Sequence, residues 1–165
     1  QFFRGMADKY SWVDIGSSYL MNDVSAAYLW GNLEKADEIN QARSRIWERY
    51  YSELKDLEDQ GLITLPTIPK NCIHNAHIFY LKVKDFKRRT NLIKYLKLNN
   101  ILSVFHYIPL HSSKAGINFG KFDGTDQFTT IESERLIRLP IYYSLDDAKV
   151  SYIINIIKES YDETK

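Results

Sequence analysis

The chain has 165 residues, 44% hydrophobic and 26% charged, a globular composition that indicates neither disorder nor a fibre. Its 22 Lys and Arg stand against 21 Asp and Glu, a net charge of +1, which excludes binding to nucleic acid by bulk charge. One cysteine, Cys72, cannot close an internal disulfide, and no apolar run approaches the ~20 residues that span a bilayer, so a cytoplasmic single domain is expected.

Gln1-Phe2-Phe3-Arg4 opens the chain in place of Met, and a piece of a longer protein is expected. Residues 1–21 contain Gly5 and Gly16 without a sustained period and read as a connection. Asn22 is placed as an N-cap, with Asp23 in the first turn and Met21, Val24, Ala27 and Tyr28 at helical spacing. Gly31 and Asn32 end or kink that helix. A second helix is predicted over 34–60, with Ile39, Ile46, Tyr50, Leu54 and Leu57 on one face, mixed charges opposite, and Gly61 as its C-terminal cap. Residues 22–61 together predict a helical arm of about 55 Å at ~1.5 Å per residue.

Residues 62–165 read as a small α/β domain. Strands are predicted at 63–65, 76–83, 101–107 and 136–139, and helices at 86–98 (capped by Asp85), near 114–119 and over 127–135. A last helix follows Ser144 and Asp147, an S-x-x-D capping pattern, with Val150, Ile153, Ile154, Ile157 and Tyr161 as one apolar stripe. The fold class is α/β with an α+β small domain: a long helical arm, then a three- to four-stranded sheet with helices.

Four histidines invite a metal reading, but the residues argue against it. His74 and His77 on a strand approach point to opposite faces, and His106 and His111 straddle Pro109 with no carboxylate to complete a set. Cys72 has no activating surroundings, and no Gly-rich phosphate loop occurs. Lys87, Arg88, Arg89, Lys94 and Lys97 read as a solvated helix face. Two segments suit a ligand better: the hydroxyl-rich Gly16-Ser17-Ser18-Tyr19 before a helix start, and Phe105-His106-Tyr107-Ile108-Pro109-Leu110-His111, polar aromatics at a strand end.

Four blocks carry a resemblance in order: G-S-S-Y-L-M-N-D with the following S-A-A-Y-L-W-G-N-L-E-K, then N-A-H-I-F-Y-L-K-V, F-H-Y-I-P-L-H and E-S-E-R-L-I-R-L-P. With them the chain resembles the C-terminal part of the DegT/DnrJ/EryC1/StrS sugar aminotransferases. The resemblance implies the C-terminal domain of a fold-type-I transferase that works as a homodimer with pyridoxal phosphate. It implies amino transfer from L-glutamate to the 4-keto carbon of a nucleotide-linked 6-deoxy sugar. In that family the Schiff-base lysine lies in the large domain, and no lysine here sits in its motif. No catalytic residue is therefore assigned, and the chain alone is expected to be inert.

By the same resemblance Ser18 and Tyr19 are the cofactor-binding candidates, Ser18 standing where many members have an Asn that reaches the neighbouring subunit's cofactor phosphate. Leu20 replaces a common Arg, a departure that removes one charge from that site. His106, Tyr107 and His111 match the H-Y-x-P-L-H block and are the substrate-binding candidates, while His77 is expected to be structural. The alternatives are a non-catalytic interaction module in which Trp47, Tyr50 and Tyr51 form an exposed helical face, and a related aminotransferase acting on another nucleotide keto sugar.

Overall fold

A computed structural model describes residues 21–162. The chain divides after Ala36 into two compact units. In the first, helix α1 (Asp23–Leu33) starts at Asn22, whose side chain accepts a hydrogen bond from the Ser25 N–H at 2.9 Å. It runs through Gly31 and Asn32, and none of its residues is buried.

The second unit, from Asp37 on, takes in α2 (Ala36–Glu53) from its second residue, then α3 (Lys55–Asp59) and β1 (Ile63–Thr64). The helix predicted over 34–60 is thus two helices. Leu54 leaves helical geometry at φ −98° and ψ 2° and is fully buried. No Gly or Pro marks this break; tertiary burial overrides local propensity. Gly61 (φ +72°) closes α3 in a Schellman arrangement, its N–H donating to Glu58 and that of Leu62 to Leu57.

Strand β2 (Phe79–Val83) is central, pairing antiparallel with β1 and with β3 (Leu136–Leu139). Phe79, Leu81, Val83, Ile137 and Leu139 alternate onto a buried face, and Tyr80, Lys82, Leu136 and Arg138 onto the other. The core also takes Ile46, Trp47 and Tyr50 from α2, Leu92 and Leu96 from α4 (Phe86–Leu98), and Val150, Ile153, Ile154 and Ile157 from α7 (Asp147–Asp162). Trp47 and Tyr50 are therefore core residues, contrary to the exposed face of the interaction-module reading. Arg49 of α2 joins α7 by donating to the Asp147 carbonyl at 3.0 Å and the Ser151 hydroxyl at 2.8 Å.

Helix α4 starts at Asp85, whose carboxylate accepts from the Arg88 N–H at 2.8 Å. Its basic residues are not all solvated. Arg88 reaches the Ser160 carbonyl at 2.9 Å and lies 3.9 Å over Tyr161, and Arg89 donates to the Ser133 carbonyl at 2.8 Å. Helix α7 is capped by Asp146, which accepts from the Lys149 N–H at 2.8 Å, rather than by the expected Ser144. The strand expected at 101–107 is not formed. Only Val104 bridges to Arg138, while Leu102 and Tyr107 are exposed, so β-rich composition there found a single partner on the sheet edge.

Candidate functional site

Residues 101–119 run past the β3 edge, where Val104 bridges Arg138, as an irregular segment, a single 3₁₀ turn at Leu110–Ser112 and the short α5 (Lys114–Phe119). Helix α6 (Thr129–Arg135) then leads into β3. This segment carries the H-Y-I-P-L-H block, and its three candidate residues are separated into different surroundings.

His106 lines a cavity of about 600 Å³ over the outward face of the sheet, with Trp47, His74, His77, Tyr80 and Arg138. His74 and His77 share this cavity, contrary to the expectation of opposite faces. The reason is local: Ala76 has φ +52°, which breaks strand alternation, and β2 begins only at Phe79. The turn is held by side chains, His74 Nδ1 accepting from the Ala76 N–H at 3.2 Å and Asn75 from the His77 N–H at 3.3 Å. The His74 ring also packs 4.4 Å from Trp47, and the His77 carbonyl accepts from Arg43 at 2.7 Å.

Tyr107 is 80% exposed and stands edge-on to His106 with ring centroids 4.9 Å apart. It lines a second cavity of about 360 Å³ with Phe86, Arg89, Phe105, Thr130 and Ser133. Arg89 packs between Phe86 and Phe105, and burial holds its guanidinium below the usual range against the opposing pull of Glu134.

His111 belongs to a polar cluster. Its Nε2 lies 3.0 Å from an oxygen of Asp126, and its ring packs 4.4 Å from Phe122. Asp126 also accepts from the Thr130 hydroxyl and from the Thr130 N–H at 3.1 Å, which satisfies a free donor at the start of α6. The Thr130 hydroxyl first, then backbone N–H groups and His111, hold the Asp126 carboxyl below the usual carboxylate range. A depressed native value means this contribution to stability is present above the unfolded value of about 3.9 and is lost as the pH falls through the lowered one. The stability difference between the wild type and Asp126→Asn should therefore be largest above about pH 5 and shrink towards pH 3, read from urea unfolding at each pH. A difference that grows on acidification would refute this role.

Ser18 and Tyr19 lie outside the described residues. Among the described residues no group of three or more His, Cys, Asp or Glu is placed to hold a metal ion, and no helix is long and apolar enough to cross a membrane. The larger cavity does not fit pyridoxal phosphate as its holder: its lining offers no lysine for a Schiff base and no carboxylate for a pyridine nitrogen. Sequence reasoning missed Arg138 and Tyr80 in this cavity and weighed His74 only as a metal ligand. The β2–β3 register, which sets Tyr80 opposite Arg138, would have found the first two.

Helices packed on a small antiparallel sheet are the architecture of aminotransferase structures: S. venezuelae DesV superposes with a TM-score of 0.79 at 26% identity, over 94% of this chain and 40% of that one. The DegT/DnrJ/EryC1/StrS aminotransferase family model matches residues 3–158, and the chain belongs to that family. It is 32% identical over 164 residues to an uncharacterized protein of Methanocaldococcus jannaschii, covering 94% of this chain and 41% of the relative. It is 26% identical to the dTDP-3-amino-3,4,6-trideoxy-alpha-D-glucose transaminase of Micromonospora megalomicea subsp. nigra, covering 87% and 38%. The chain thus spans about two fifths of the length of the curated relatives it matches. Aminotransferases of this family depend on pyridoxal phosphate in general.

Proposed function

We propose that this chain is the C-terminal part of a pyridoxal-phosphate-dependent sugar aminotransferase that transfers the amino group of L-glutamate to the 4-keto carbon of a dTDP-linked 6-deoxy sugar. Within the family the reading is a dTDP-4-amino-4,6-dideoxygalactose transaminase, which the opening Q-F-F-R-G-M, G-S-S-Y-L-M and V-F-H-Y-I-P-L-H resemble. The Micromonospora relative is named for a 3-amino sugar; it supports the reaction class and the nucleotide, and the subgroup motifs support the 4-position. The observation that carries the reading is the H-Y-I-P-L-H block of a family member, with His106 on the wall of the larger of the two cavities described above.

In this reading His106, Tyr107 and His111 serve the sugar side, with Asp126 holding His111. Ser18 and Tyr19 serve the cofactor phosphate, and the cofactor supplies the electron sink from a lysine in a large domain upstream of Gln1. The enzyme works as a cytoplasmic homodimer with its active sites at the subunit boundary. The exposed Val24, Tyr28 and Trp30 of α1 are surface that the rest of such an enzyme would cover.

Borohydride trapping with pyridoxal phosphate, read by peptide mass, tests this on the chain alone and on the chain extended upstream in its reading frame. A lysine adduct in the extended protein only, upstream of Gln1, is the expected result. An extended protein without an adduct, or turnover of a keto sugar by the 165-residue chain alone, would overturn the reading.

A further inference from the structure

We propose that Arg138 is the specificity-determining anion anchor of the larger cavity, which takes the diphosphate of a ligand whose planar ring packs on the cavity's aromatic wall. Among the described arginines, Arg138 is the one whose guanidinium makes no hydrogen bond or ion pair to the protein. Arg45, Arg49 and Arg135 reach carboxylates, and Arg43, Arg88 and Arg89 reach backbone carbonyls. The Arg138 Nε is buried without a partner, and the cavity it lines contains no Asp or Glu. Like the Nε of Arg43 and Arg89 it lacks a partner, but Arg138 alone among the described arginines also leaves its terminal nitrogens without a protein acceptor, and an arriving oxyanion would find those donors free.

The cavity's shape and chemistry select among oxyanions. Arginine's planar fork of donors matches phosphate oxygens two at a time. Tyr80, directly opposite Arg138 in the β2–β3 register, stands on the same face of the sheet, and Trp47, His74 and His106 complete an aromatic lining. A volume of about 600 Å³ is in the range of sites for ligands of nucleotide size. A small aliphatic dicarboxylate such as glutamate would leave most of that wall unused. This deepens the aminotransferase reading, on which the identity of the natural ligand rests, but the binding itself does not depend on turnover.

The test titrates the 165-residue chain with thymidine diphosphate, inorganic pyrophosphate and L-glutamate, by calorimetry and by the indole N–H signal of Trp47. The expected result is saturable thymidine diphosphate binding that shifts the Trp47 signal, weaker pyrophosphate binding at the same site, and none by glutamate. Arg138→Gln should weaken thymidine diphosphate binding by about 10- to 100-fold, the loss expected for hydrogen bonds to a charged group. Arg138→Lys, which keeps the charge without the fork, should fall between the two. Unchanged amide spectra away from the cavity show that each variant is folded; if Arg138→Gln fails that check, Arg138→Lys alone decides. Absence of thymidine diphosphate binding, binding unaffected by substitution, or a response to glutamate alone would overturn the proposal. Binding that depends on Arg138 in a protein whose extended form traps no cofactor would refute the transaminase reading and leave the anchor standing.

Discussion

Tyr50→Ala is expected to lower the unfolding free energy by about 3–5 kcal/mol, the usual cost of truncating a buried aromatic. Tyr50 is 0% exposed, its ring lies 5.1 Å from that of Phe79 at the centre of the sheet, and Trp47 packs on the same ring at 5.4 Å. Its hydroxyl donates to the Pro140 carbonyl at 3.0 Å, immediately after β3, so one side chain of α2 ties the central strand β2 and the end of β3. Burial pushes the Tyr50 phenol well above its ordinary value, which keeps it a protonated donor at neutral pH. Tyr50→Phe separates the two contributions and should cost only about 1–2 kcal/mol, the price of leaving that carbonyl unpaired. Urea midpoints at constant slope read both differences. A Tyr50→Ala loss below about 1 kcal/mol would show that α2 is not part of the core.

Gly116→Ala is expected to cost about 1–3 kcal/mol and to disturb the H-Y-I-P-L-H segment at a distance in sequence. A Cβ at 116 would stand 1.8 Å from the Leu110 carbonyl oxygen and 2.7 Å from its carbon. Both are backbone atoms, so no side-chain rotation relieves the clash and the turn itself must move. That turn is closely knit: the Ser113 hydroxyl donates to the Leu110 carbonyl at 2.7 Å and accepts from the Gly116 N–H at 3.0 Å. His111 sits inside it, so its contact with Asp126 should be lost or weakened in the variant. The ring signals of His111, compared between wild type and Gly116→Ala, measure this directly. Unmoved signals would mean that the turn accommodates the methyl without passing the strain to the site.

Much of the helical content is legible residue by residue. Asn22 and Asp85 cap the helices they were expected to cap, the helix after Asp85 spans Phe86–Leu98, and the apolar stripe of α7 faces the core. These features depend on neighbours three or four positions away, which the sequence displays directly. The strand expected at 101–107 illustrates the opposite case. Its composition suits a pleated surface, but forming a ladder also needs an extended partner, and β3 offers one bridge at Arg138. The capping of α7 failed more narrowly: Ser144 and Asp146 are both capable caps, and the route of the chain before the helix put Asp146 in position.

The site divides along the same line. The H-Y-I-P-L-H block and its companions are contiguous strings, and they sufficed to place the chain among the DegT/DnrJ/EryC1/StrS aminotransferases, as the match over residues 3–158 shows. They do not show that His106, Tyr107 and His111 occupy three different surroundings, nor that Asp126 meets His111 from 15 positions later in the chain. His74 and His77 come to one cavity because Ala76 takes a left-handed conformation that no propensity assigns to alanine. Arg138 is an ordinary strand residue by its local pattern. Its buried Nε and its lack of a counter-charge exist only once β2, β3 and α2 enclose the cavity. Short-range patterns in the chain thus encode most of the helices, the caps at Asn22 and Asp85, and the family. Which strands pair, and which charge is left unanswered, follow from the packing of residues far apart in the chain.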